Sequence, residues 1–100
     1  MRINGVEFDR ARIETLCRKV GVRRLFVFGS ILTDRFSAAS DIDLLVETDP
    51  ARPVGLLTLG GLQMDLSELL GRPVHLTLLG GVPESERPGV LARARSLDAA

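Results

Sequence analysis

Between Asp9 and Val20 the apolar residues Ile13, Leu16, Cys17 and Val20 recur at i, i+3, i+4 and i+7, with charged residues between them. This is the stripe of an amphipathic helix, and Gly21 supplies its stop. "RRLFVF", Arg23 to Phe28, is apolar and β-rich between two glycines, and predicts a first strand that turns at Gly29-Ser30. Residues 31–39 are too polar and irregular for a strand and predict a short helix. "DIDLLVE", Asp41 to Glu47, reads as a second strand, closed by Asp49-Pro50. Leu59, Leu62, Leu66, Leu69 and Leu70 share one helical face and predict a helix ending at Gly71, with Gly60-Gly61 weakening its first half and pushing its start later. "PVHLTLL", Pro73 to Leu79, alternates Val74, Leu76 and Leu78 against His75 and Thr77, a third strand with one buried face. Val90, Leu91, Ala94 and Leu97 predict a last helix over Glu84–Asp98, with Pro88 in its first turn. The order αβαβαβα, with helices between strands, points to an α/β (α+β) sandwich.

Composition narrows the class. One hundred residues at 45% hydrophobic content predict a single domain spanning 1–100. Thirteen basic residues are matched by thirteen acidic ones, so no broad positive surface exists for a nucleic-acid backbone, and no direct nucleic-acid partner is expected. A neutral, leucine-rich small domain instead tends toward self-association or a protein partner. Cys17 is the only cysteine, which excludes an internal disulfide and fits a reducing compartment; its place on the apolar face of the first helix makes it a core residue. No apolar run approaches the roughly 18 residues of a membrane helix, and "MRINGVEFDRAR" is charged where a signal peptide is apolar. Cytoplasmic location is the expectation.

The chemistry concentrates in "FGSILTDRFSAASDIDLLV", Phe28 to Val46. Side chains alternate across a strand, so Asp41 and Asp43 face the same side, about 6.6 Å apart along the backbone, while Ile42 and Leu44 face the other. Two carboxylates this close repel unless protonated or bridged by a cation, and hard oxygen ligands suit Mg²⁺, which keeps phosphate oxygens in its shell. Gly29 lets a ligand approach the backbone at the end of the preceding strand. Ser30 can cap the helix that follows, whose N-terminus with the Ser30 hydroxyl makes an anion site for a triphosphate. A phosphate cradle beside a metal-binding carboxylate pair is the equipment of nucleotidyl transfer. Taken singly, Asp-x-Asp also reads as a solvated strand edge and Gly-Ser as a plain turn. Their combination at this spacing arises by chance on the order of one time in a thousand. Arg35 is either a triphosphate ligand or a solvated loop cation. Ser40 reads as a local turn residue, and Arg93 and Arg95 as a surface edge of the last helix.

At Gly29, Ser30, Asp41 and Asp43 the chain resembles a minimal nucleotidyltransferase (MNT) of the DNA polymerase beta superfamily, whose signature is Gly-Ser, ten residues, then Asp-x-Asp. The likeness runs from "GVRRLFVFGS" through "SDIDLLVE" to "LLGRPVHLTLL". It implies a palm fold, a mixed three-to-four-stranded sheet flanked by helices, and the cofactors Mg²⁺ (or Mn²⁺) and a nucleoside triphosphate, commonly ATP. It also implies an antitoxin role beside a HEPN-domain toxin, with transfer of AMP to a tyrosine of that partner. One departure matters. The family carries a third carboxylate on the third strand, at the position corresponding to His75. Glu47 does not replace it, since four strand residues put it about 13 Å from Asp43. His75 serves either as a general base, with an unperturbed pKa of about 6.5, or as the mark of a site whose chemistry has weakened. A neutral imidazole matches Mn²⁺ better than Mg²⁺.

Two functions follow. In one, Asp41 and Asp43 hold metal, Gly29, Ser30 and Arg35 hold phosphates, and His75 takes a proton while AMP passes to a partner hydroxyl. In the other, the chain is an antitoxin that neutralises its partner by binding alone. A small-molecule nucleotidyltransferase fits less well, because little chain remains for an acceptor pocket once the palm is made.

Overall fold

The computed structural model describes residues 1–97. Its centre is a four-stranded mixed sheet with three α-helices, as the helix-and-strand pattern implies, but the order of elements differs from the simple alternation. The chain opens with a hairpin that the periodicity did not indicate, β1 (Arg2–Ile3) and β2 (Val6–Glu7). Asn4 (φ 50°) and Gly5 (φ 83°) make its two-residue turn, the Asn-Gly turn whose twist suits a hairpin. Helix α1 (Arg10–Val20) follows. The Asp9 side chain accepts from Arg12 N–H at 3.2 Å to cap its start, and Gly21 closes it in the left-handed conformation.

Strand β3 (Val22–Phe28) pairs antiparallel with β4 (Ile42–Thr48), and β4 pairs parallel with β5 (Val74–Leu78). The parallel crossover is made by α2 (Leu56–Leu70), which starts earlier than its leucine stripe alone suggests and runs through Gly60 and Gly61. Burial of Leu59, Leu62, Leu66 and Leu70 on one side outweighs the poor helix propensity of the glycines.

Two expected helices are corrected. Over residues 31–39 there is no α-helix; Gly29–Leu32 make one 3₁₀ turn, and a loop continues to Ser40. Thr33 closes that turn, its N–H and hydroxyl both donating to the Ser30 carbonyl at 2.9 and 2.8 Å, and Ser37 and Ser40 hydroxyls bond locally. Short polar side chains here satisfy backbone groups that a helix would otherwise need. The last helix, α3, covers only Arg87–Ala92 after a 3₁₀ turn at Glu84–Glu86. The chain then returns as β6 (Arg95–Ser96) along the open edge of β3, with Leu97 N–H donating to the Leu25 carbonyl at 2.9 Å. Edge pairing and burial of Leu97, 2% exposed, replace a helix that Pro88 and Gly89 make weak. Asp98 lies outside the described residues.

The sheet order is β5-β4-β3-β6. One face, bearing Leu25, Val27, Ile42, Leu44, Val46 and Val74, packs under α1 and α2 in the main core, with Cys17 buried among them. The other face carries a smaller cluster, Phe26, Leu45 and Leu79, covered by Val82 and by Val90, Leu91 and Ala94 of the C-terminal segment. That small cover leaves the N-terminal end of β4 open. Among the described residues no helix is long and apolar enough to cross a membrane.

Candidate active site

Register builds the site. On the sheet face opposite α1 and α2, Phe28 of β3, Asp43 of β4 and His75 of β5 lie side by side as paired residues. Adjacent strands are about 4.8 Å apart, so His75 flanks Asp43 directly. Asp41 sits one residue before β4 and is exposed, as is His75, while Asp43 is half-buried between buried Ile42 and Leu44. The alternation expected of the strand therefore holds here: the apolar residues fill the core and the carboxylate faces out.

Asp43 is the most constrained of these groups. Burial first, and the nearby Asp41 charge second among the raising effects, hold its carboxyl above the ordinary aspartate range, and His75 opposes them. The carboxylate also lies hard against the backbone at Gly29. A Cβ at that position would stand 2.5 Å from Asp43 Oδ2 and 3.3 Å from its Cβ and Cγ. Gly29 further has φ 82°, a region that disfavours any other residue. Both conditions require glycine, and the turn thereby brings backbone and carboxylate together.

Ser30 does not cap a helix. Phe28 occupies the N-cap position of the 3₁₀ turn, which has no side-chain cap. Ser30 instead lines a cavity of about 660 Å³ on the flank of the Gly29 turn, together with Gly29, Arg35 and Arg93 over an apolar floor of Phe28 and Val90. The structure thus links the six sequence candidates through one turn: Gly29, Ser30 and Arg35 line the cavity, Asp43 lies against Gly29, His75 pairs with Asp43, and Asp41 stands two residues before Asp43. Glu47 is excluded by more than distance, because Arg24 binds it with two hydrogen bonds at 2.8 and 3.1 Å, holding its carboxyl below the ordinary range.

Three residues that position the site escaped the sequence reading. Arg72, just after the α2 stop, donates through Nη2 to the Ser37 and Ser40 carbonyls at 2.5 and 2.7 Å, and its guanidinium covers the Phe36 ring at 4.3 Å. It clamps the loop that delivers Asp41; no local pattern marks such a long-range contact. Asn4 Nδ2 donates to the Ile31 and Thr33 carbonyls at 3.2 and 3.0 Å, bracing the Gly29–Leu32 turn from behind. The Asn-Gly dipeptide would have revealed its hairpin. Arg93, read as a surface edge, faces the cavity.

The donor set fits a hard divalent cation. Asp41 and Asp43 offer carboxylate oxygens, and a bound cation would relieve the unfavourable charge that burial and repulsion impose on Asp43. Among the described residues no three His, Cys, Asp or Glu side chains form a metal cluster, so a cation held by Asp41 and Asp43 would need further ligands from outside this set, such as phosphate oxygens.

A mixed palm-like sheet with a Gly-Ser turn against a strand-borne carboxylate defines the class, and comparison with known proteins agrees. Residues 10–96 match the nucleotidyltransferase domain family. A Methanocaldococcus jannaschii protein named "Putative protein adenylyltransferase MJ0435" is 36% identical over 76 residues, 76% of each chain. A solved structure described as "Structure of putative minimal nucleotidyltransferase" superposes with a TM-score of 0.71 at 34% identity, covering 85% of both chains. A tri-AMPylated Shewanella oneidensis HEPN toxin in complex with its MNT antitoxin matches with a TM-score of 0.63 at 22% identity, over 91% of this chain and 70% of that one, a likeness of fold. The chain belongs to the nucleotidyltransferase domain family and is a nucleotidyltransferase of the minimal kind.

Proposed function

We propose that this protein transfers AMP from ATP to a tyrosine hydroxyl of a HEPN-domain toxin, in the presence of Mg²⁺ or Mn²⁺, and so acts as its antitoxin. The observation that carries the reading is the contact of Asp43 with the Gly29 backbone, with His75 in register beside it. Support for AMP and for a protein acceptor comes from the adenylyltransferase name of the M. jannaschii relative and from the AMPylated toxin held by the S. oneidensis antitoxin.

In this reading Asp41 and Asp43 hold the metal, which when bound neutralises charge on the phosphates and favours attack at phosphorus. Gly29 and Ser30 let the phosphates approach the backbone turn, and Arg35 meets them from the loop. The acceptor oxygen attacks the α-phosphorus, forming one P–O bond while the bridge to the β-phosphate breaks and pyrophosphate leaves. His75 takes the hydroxyl proton. The acting unit is the whole of residues 1–100 as one domain. Cytoplasmic operation suits a protein whose one cysteine, Cys17, is a buried thiol.

A specific observation favours a second reading. Strand β5 presents His75 beside Asp43, at the position where the family resemblance implies an acid, so the chain would neutralise its partner by binding and retain little transfer. Intact mass spectrometry of the partner toxin, incubated with this chain, ATP and either metal, separates the two. A gain of AMP units that vanishes in an Asp41→Ala, Asp43→Ala variant establishes the enzyme; complex formation with no gain, and transfer restored by His75→Asp, establishes the binder.

A further inference from the structure

The cavity beside the Gly29 turn has an electrostatic asymmetry that the carboxylate chemistry does not use. Its lining includes two arginines, Arg35 and Arg93, and no Asp or Glu. Five other arginines find oxygen partners, Arg12 with Asp9, Arg18 with Glu14, Arg24 with Glu47, and Arg72 and Arg87 with backbone carbonyls, whereas the exposed Arg2, Arg23 and Arg52 do not. Among the described residues the Arg35 and Arg93 side chains make no such bond. They come from distant parts of the chain, one from the loop before β4 and one from the link between α3 and β6.

Arg93 is held at this position by the fold around it. Its own N–H donates to the Val90 carbonyl at 3.2 Å, and Val90 and Ala94 on either side pack on Phe26 and Leu45. Two residues further on, Arg95 pairs with Val27 of β3. The backbone is thus tethered before and after the residue, and two like charges are brought to one cavity without a protein counter-charge. A multiply charged anion satisfies both, and guanidinium forks match phosphate oxygens.

We infer that Arg93, together with Arg35, grips the terminal phosphates of the bound nucleoside triphosphate and makes the site select by phosphate number. This rests on the nucleotide reading of the site proposed above. The direction follows from charge: Asp43 lies against Gly29, while the cavity that Gly29 also lines carries the two arginines and neither Asp41 nor Asp43. The β- and γ-phosphates are drawn to the cationic flank, which leaves the α-phosphorus toward the carboxylates, where transfer occurs. An interaction of this kind is strong for ATP, weaker for ADP and missing for AMP.

Calorimetric titration of ATP, ADP and AMP into the whole protein with Mg²⁺ tests this. Arg93→Ala is expected to weaken ATP by about 10- to 100-fold, the loss of one or two charge-assisted hydrogen bonds, while AMP binding is unchanged. Arg93→Lys should recover part of the loss, and Arg52→Ala, which removes the same charge from the turn after β4, should cost nothing. Thermal melts of each variant report folding. Unaltered ATP affinity in a folded Arg93→Ala overturns the inference, as does an equal loss for ATP and AMP, which would mark general damage to the cavity. If the unaltered protein binds no nucleotide, the nucleotide reading of the whole site falls with it; if it binds ATP through Asp41 and Asp43 but not through Arg93, only this inference falls.

Discussion

Replacing Gly29 by alanine tests the central contact, because the structure contains its own control. Gly29 and Gly21 have nearly the same backbone, φ 82° and 84°, so alanine at either pays the left-handed penalty of about 1–2 kcal/mol. Their surroundings differ. A Cβ at Gly21 meets nothing nearer than Val54 Cγ2 at 4.0 Å, whereas at Gly29 it would stand 2.5 Å from Asp43 Oδ2. Asp43 must rotate away from its preferred geometry, adding about 0.5–1.5 kcal/mol. Gly29→Ala should therefore cost about 2–3 kcal/mol and lower Tm by roughly 10–20 °C, against about half that for Gly21→Ala. Only Gly29→Ala should also lose metal-dependent nucleotide binding, since its Cβ displaces the carboxylate. The assay is paired thermal melts with and without Mg²⁺-ATP. Equal melting of the two variants, with nucleotide stabilisation retained in both, would refute the reasoning.

Asp43→Asn should raise the Tm of the ligand-free protein at pH 7. The carboxyl is raised in the folded state, so its favourable contribution is present below the unfolded aspartate pKa and lost as pH rises through the folded one; a pH series of melts should show the advantage of asparagine shrinking on acidification. Arg72→Ala removes two carbonyl contacts and the Phe36 stack, and should cost about 1–2 kcal/mol while speeding amide exchange over residues 37–41; unchanged exchange there would mean the loop is held by other contacts. Gly61→Ala lies inside α2 with nothing within 4 Å of the new Cβ, and should stabilise by about 0.5–1 kcal/mol, a rise of a few degrees by calorimetry. A fall would mean that this exposed helix face has a neighbour in solution.

What was legible depended on range. Helix α1 was readable because its stripe and stop are local, the apolar positions from Ile13 to Val20 and Gly21 just after them, and the Asp9 cap lies only a few residues earlier. The three long strands were readable because alternation and apolar runs are local. The α3 region misled because Val90, Leu91, Ala94 and Leu97 keep a helical spacing, yet they bury their side chains across a helix end, a turn and an edge strand. Spacing records which residues seek burial and leaves open the path that buries them. At the site, the Gly-Ser and Asp-x-Asp types pointed to the nucleotidyltransferase family that the chain belongs to, while the helix expected after Ser30 was replaced by serine and threonine side chains bonding to their own loop.

The chemical groups and their faces follow from the order of residues alone: the carboxylate of Asp43 opposite the core on its strand, and a glycine at the turn where the backbone is approached closely. Tertiary structure decided what stands next to them. Parallel pairing of β4 with β5 put His75 beside Asp43, the reach of Arg72 fixed the loop before Asp41, and the return of β6 carried Arg93 to the cavity. The physical reason is that side-chain direction follows from backbone periodicity within a few residues, whereas neighbours far along the chain are chosen by the joint burial and edge pairing of the whole fold.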